Sequence, residues 1–210
     1  NGYVEGSDVY DASGIMFEQV FANKRQRIST YRNLALYPFV RKCLTMMADE
    51  AVCENALGEV AIFDIDRAFK SKFTETELMT LRDEFNYIIN EVFGKDQLWY
   101  YYYKWLVDAE LFFEICLNTK GDKVAGIKCL PPYCTMCVYD DGILQGFIED
   151  IKLLNPDLDT EPKSFTTNQV AYINYGFWGN NKNDIRGHLE PAIRPINQLR
   201  AIEDALTVYR

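Results

Sequence analysis

The sequence predicts an α+β protein in which helices pack with antiparallel strands and hairpins, and three observations predict it. Thr74 and Glu77 form a capping box ahead of the apolar stripe Leu78, Leu81, Phe85, Ile88, Ile89 and Val92, which marks an amphipathic helix. Asp141-Gly142 stands between apolar segments and is the chain's best hairpin-turn signal. Helical and strand patterns follow one another without the regular βαβ alternation of a parallel sheet. There is no internal repeat and no low-complexity tract.

Residues 1–22 carry Gly, Asp and Ser with little periodicity and read as an arm. A helical pattern begins at Asn23 and is interrupted at Pro38. Beyond it, Val40, Cys43, Leu44, Met47, Ala48 and Ala51 share a helix face. Pro38 suits the first turn of that helix, where a missing N–H loses no bond. Residues 59–65 (EVAIFDI) read as a strand. Phe73 and Leu78 would staple the start of the capped helix, and Gly94 stands where a left-handed C-terminal cap belongs. Residues 99–117 (WYYYYKWLVDAELFFEICL) are apolar nearly all round, as in a helix buried against several neighbours whose last residues run on into a strand. Strands follow at Val124–Leu130, before the Pro131-Pro132 break, on both sides of Asp141-Gly142, and at residues 169–175. Residues 176–187 (GFWGNNKNDIRG) compose a loop. A closing helix has the stripe Ile196, Leu199, Ile202, Leu206 and Tyr209, with Pro191 and Pro195 near its start.

Of the 210 residues, 48% are apolar and 14% aromatic, which excludes a disordered chain and points to a well-filled interior. No run of apolar residues is long enough for a membrane helix, and no secretory leader opens the sequence, so a soluble protein is expected. Cys43, Cys53, Cys116, Cys129, Cys134 and Cys137 then read as reduced thiols rather than a disulfide framework. The net charge is −9, opposite in sign to what neutralising phosphates requires, which argues against tight nucleic-acid binding. Residues 176–210 hold five basic and four acidic side chains, so the acidic excess lies before them. Asn1 is not a Met, and Arg210 falls inside a helical pattern without a cap; a piece of something longer is expected.

Catalytic constellations are thin. Cys134 and Cys137 form a CxxC with Cys129 nearby, but there is no second pair and His188 is the one histidine; if residues 133–139 are a strand, the two thiols also point to opposite faces. Buried or idle thiols are the better reading. Asp64-Ile65-Asp66 after an apolar segment resembles the first motif of haloacid-dehalogenase-type phosphatases, where two carboxylates hold Mg²⁺, although Ala68 stands where that motif expects Thr or Val. His188 has no Ser or Cys nucleophile in an elbow sequence, and no phosphate-cradling Gly loop occurs. The aromatics at 99–103 have only Lys104 close by, which favours core or interface packing over a base-stacking platform. No cofactor and no metal are expected.

The segment 188–210 (HLEPAIRPINQLRAIEDALTVYR) changes the picture. Ile193-Arg194-Pro195, Asn197-Gln198-Leu199, Glu203-Asp204-Ala205 and Tyr209-Arg210 resemble, in order, the start of the stem helix of portal proteins from contractile-tailed (myovirus-type) bacteriophages. Residues 104–115 (KWLVDAELFFEI) are similar to that family's buried Trp-x-x-Asp helix. Residues 31–51 repeat its Tyr-Arg start, Pro and Asp-Glu-Ala ending. This chain has Glu110 and Glu114 where the family tends to carry Arg and His, and Glu190-Pro191 in place of a polar pair; these departures are expected to bear on surface contacts.

The resemblance implies a wing domain at 23–187 behind the arm and the start of a stem helix at 188–210, with clip, second stem helix and crown absent. It implies a non-enzymatic, virion-borne subunit of a dodecameric ring at the head vertex, assembled in the host cytoplasm. Such rings nucleate head assembly and pass double-stranded DNA during packaging and ejection without reading its sequence. The implied partners are further copies of the chain, the major capsid protein and scaffold, the terminase large subunit and the neck proteins, with no membrane insertion. Candidate stem or inter-subunit contacts are Arg194, Asn197, Gln198, Arg200, Glu203, Asp204 and Arg210. The competing readings are a Mg²⁺-dependent phosphatase or phosphotransferase on Asp64 and Asp66, which needs a parallel sheet with Asp64 at a strand's carboxyl end, and another phage head or neck protein.

Overall fold

A computed structural model of the chain describes residues 13–64, 72–153, 157, 161–179 and 182–209. It is an α+β fold with two three-stranded antiparallel sheets and five α-helices among those residues. The first helix, α1 (Ser13–Ala35), reaches back into the stretch expected to be an arm. Its buried positions include Lys24, Ile28, Tyr31, Leu34 and Ala35 at helical spacing. The helical pattern read from Asn23 is borne out, with a lysine and a tyrosine among its buried positions. Helix α2 (Pro38–Ala51) starts at the proline after an extended Tyr37 and buries Val40, Leu44 and Ala48.

Residues 59–64 form no strand; Ile65 lies outside the described residues. Asn55 builds a turn at their start. Its side-chain oxygen accepts from the Leu57 and Glu59 N–H groups at 2.9 Å each, and Lys95 donates to the Gly58 carbonyl at 2.6 Å. These local bonds hold residues 55–59 as a turn. Helix α3 (Glu75–Tyr87) has the capping box in full: Glu77 N–H donates to Thr74 Oγ1 at 3.3 Å, and Thr74 N–H donates to Glu77 Oε2 at 2.8 Å. It runs on as a π-helical turn at Ile88–Val92, and Gly94 turns the chain at φ 75°.

The apolar run at 99–117 divides. Helix α4 (Leu98–Asp108) stops at Ala109, which takes a left-handed conformation with φ 71°, and strand β1 (Glu110–Leu117) begins at once. The strand takes more of the run than its last residues because its first half is buried on both faces. Phe112 stacks on Tyr172 at 4.6 Å and meets Phe147 edge-on, while Phe113 meets Tyr101 at 5.0 Å and Phe93 at 5.7 Å. A strand with two buried faces has no alternation to tell it from a helix.

Strands β2 (Val124–Leu130) and β6 (Val170–Asn174) flank β1 in one sheet. In the other, β4 (Ile143–Glu149) lies between β3 (Thr135–Asp140) and β5 (Lys163–Thr166). The β3–β4 turn is Asp141-Gly142, both at positive φ (45° and 74°), the geometry that two-residue hairpins favour. Phe112, Leu130, Cys137, Phe147 and Val170 pack together across the two sheets. A second core joins α1, α2 and α4 to Ile185 and Leu189 from the segment after β6.

One buried ion pair ties these layers together. Lys24 Nζ lies 2.9 Å from Glu110 Oε1 with both side chains 2% exposed, and it also donates to the Thr135 carbonyl at 2.7 Å. Tyr172 Oη donates to the other Glu110 oxygen at 3.2 Å. Burial still pushes the Glu110 carboxyl above its usual range, with Lys24 pulling the other way. The departure at Glu110 is therefore interior and compensated, not a surface matter.

Removing one member leaves the other buried and unpaired, so Lys24→Met should cost about 3–5 kcal/mol, whereas Lys24→Met combined with Glu110→Leu should come out near neutral. Denaturant unfolding of the three chains checks this. A carboxyl with a raised folded pKa contributes stability below its unfolded pKa that is lost as pH rises through the folded value. The Lys24→Met single variant should accordingly gain stability relative to the native chain as pH is lowered from 7 toward the usual Glu range.

Candidate functional site

The segments quoted for the resemblance converge in space at the root of the last helix, α5 (Ile193–Val208). Arg32 on α1 grips Asp108 at the end of α4 with two bonds of 2.8 and 2.7 Å, and the Asp108 side chain is 1% exposed. This hydrogen-bonded partner raises the Arg32 pKa further. Tyr31 is fully buried; its hydroxyl donates to Glu190 Oε2 at 2.5 Å and accepts from the Gly187 N–H at 3.1 Å. Burial first, and then Glu190, hold the phenol well above its usual pKa. Arg186 closes the cluster, 2.6 Å from Glu190 and 3.0 Å from Asp184, and Arg27 pairs with Asp184 from the α1 side. Gly187 has no room for a side chain, since a Cβ there would sit 2.8 Å from the Ala109 Cβ and 3.0 Å from the Tyr31 ring.

From this root α5 leaves the body. Ile193 and Ile196 pack on the helical core, Arg200 lies over the Tyr37 ring and donates to the Asn33 carbonyl at 3.4 Å, and Tyr37 donates to Glu203 at 2.7 Å. Beyond that point nothing in the chain covers the helix among the described residues: Ile202, Leu206, Val208 and Tyr209 are 58%, 65%, 81% and 91% exposed. Arg194, Asn197, Gln198 and Asp204 are exposed, and among the described residues none of them makes an ion pair within the chain. Arg210 lies outside the described residues. Sequence reasoning singled out Arg200 and Glu203 but not their partners Asn33 and Tyr37, used Tyr31 only as the start of a resembling segment and Glu190 only as a surface departure, and gave no role to Arg186. The Tyr-Arg start at Tyr31-Arg32 was the available signal.

The chemical candidates fare differently. Asp64 is exposed in coil, Asp66 lies outside the described residues, and every strand pairing among the described residues is antiparallel. The sheet that the phosphatase reading needs is missing from them. Cys134 and Cys137 are buried and their thiols are pushed up to about 12 by burial, far from the thiolate a metal or exchange reaction requires. Cys129 accepts from Lys104 at 3.3 Å. His188 meets the Tyr175 hydroxyl at 3.1 Å. Trp99 and Tyr103 stack on each other at 5.3 Å and 12°, and the Trp99 indole donates to Asp49.

The last helix thus carries an apolar stripe that is uncovered among the described residues, a surface suited to packing on another polypeptide segment. Comparison with known proteins gives the family. Residues 24–210 match the family model described as Bacteriophage T4-like portal protein (Gp20), and the chain belongs to that family. It is 25% identical over 207 residues to the portal protein of Vibrio phage KVP40, covering 89% of this chain and 40% of the relative. It is 24% identical over 241 residues to the portal protein of Salmonella phage ViI, covering 97% and 40%. The chain thus spans about two fifths of the length of these relatives.

Tyr31→Phe removes one bond partner each from Gly187 and Glu190 in a buried place, and should cost about 1–3 kcal/mol in denaturant unfolding. Tyr37→Phe, at an exposed contact, should leave the melting temperature unchanged while amide exchange across residues 200–208 becomes faster.

Proposed function

We propose that the chain is the wing (23–187) and stem entry (188–210) of a structural portal subunit, without catalysis of its own. In this reading the complete protein forms a ring at the phage head vertex, nucleates head assembly and conducts double-stranded DNA in packaging and ejection. It docks the terminase motor and later the neck, and it resides in the virion. The observation that carries the reading is α5: a family-matching helix anchored at its root and carrying uncovered apolar and charged side chains along its length. Net acidity supports a duct, since a channel that repels phosphate lets its cargo slide. In a ring each contact is heterologous, so Arg194 and the acid at Asp204 would meet unlike groups on the neighbour.

The test is the native mass and electron-microscopic appearance of the complete parent protein. Rings of about twelve copies are expected from the closed cyclic symmetry of such assemblies; a folded monomer or dimer would refute the reading. Within rings, Arg194→Glu together with Asp204→Lys should lower ring yield without changing the melting temperature of the wing.

A further inference from the structure

Away from the α5 root, an acidic helix and a basic groove are only partly covered among the described residues. Helix α3 has no fully buried side chain, and Met79, Leu81 and Ile88 beside it are 65%, 39% and 42% exposed. Phe85 meets Phe63 at 5.5 Å, which covers only part of the stripe. Its charges are Glu75, Glu77, Asp83 and Glu84 against Arg82. A helix this short is marginal by itself in water and gains most of its stability by packing an apolar face. The capping box secures its first turn but covers none of that face.

The groove lies between α2, α4 and Tyr133, with a volume of about 680 Å³. It continues past Leu36, Arg41 and Thr45 into a shallower trough of about 380 Å³. Apolar groups line it in the open, with Leu36 71%, Met46 50% and Tyr100 50% exposed. Arg41, Lys42 and Lys104 supply its charge; Asp108 and Asp49 are engaged by Arg32 and Trp99. Among the described residues Arg41 and Lys42 make no ion pair.

We propose that α3 of one copy seats in the α2–α4 groove of the next copy of this chain, its acidic side against Arg41 and Lys42 and its apolar stripe on Leu36, Met46 and Tyr100. The inference rests on the ring assembly proposed above and names a contact within it. Head-to-tail association joins unlike surfaces, and an acidic amphipathic helix facing a basic apolar groove is a complementary pair.

The experiment uses the complete parent protein and reads ring yield by native mass. Arg41→Glu with Lys42→Glu, both at exposed positions, should lower ring yield about tenfold or more at low salt. Adding Glu84→Lys, which flanks the apolar stripe, to the same chain should restore part of it. Carbodiimide treatment of rings assembled from mixed isotope-labelled and unlabelled protein should give mixed-label crosslinks between Lys42 and the acids of α3. Unchanged ring yield, a loss that Glu84→Lys does not lessen, or absence of those crosslinks from intact rings overturns this contact and leaves the ring reading standing. Failure of the unsubstituted protein to form rings overturns both.

Discussion

The fold depends on one constraint: the inward face of α1 sets polar groups among its apolar ones. Lys24, Arg27, Tyr31 and Arg32 lie along it, and each is answered by a group from a different element, namely Glu110 and the Thr135 carbonyl, Asp184, Glu190 with Gly187, and Asp108. Apolar contacts alone would let a helix slide or rotate by a residue at little cost. Charged and hydroxyl groups in the interior forbid that, because a misplaced one stays desolvated and unpaired. The face that specifies how helices and sheets join is thus also the face most costly to disturb.

That constraint explains what was legible in the sequence. The capped helix α3, the proline-started α2, strand β2 and the Asp141-Gly142 hairpin were all readable, since each is set by local chemistry or by a clean apolar period. Helix α1 was readable from Asn23 onward but not in its first turns. The boundary between α4 and β1 was hidden by double burial, with a left-handed Ala109, not a glycine, making the break. Residues 59–64 pair with no strand among the described residues, and Asn55 closes a turn onto Glu59 at their start. Of the α5 residues, Arg200 and Glu203 could be chosen from sequence, but the groups they meet are some 170 positions earlier in the chain and only folding brings them near.

The departures from the resemblance have local explanations. Glu110 stands opposite Lys24 in the interior, and Glu190 takes the bonds offered by Tyr31 and Arg186. Glu114, at the partly exposed end of the ladder, lies 3.5 Å from Lys128. Each of these acids thus has a cationic or hydroxyl partner within the chain.

The way α5 is fastened has a mechanical consequence. A rod held at one root passes any sideways push along its length to that root as a bending moment. Here the root is the Tyr31–Glu190–Arg186 cluster, with Pro195 in the adjoining turn and the Tyr37–Glu203 bond as a strut farther out. Torque on the exposed turns is delivered first to α1, and through Lys24 and Arg32 to both sheets and to α4.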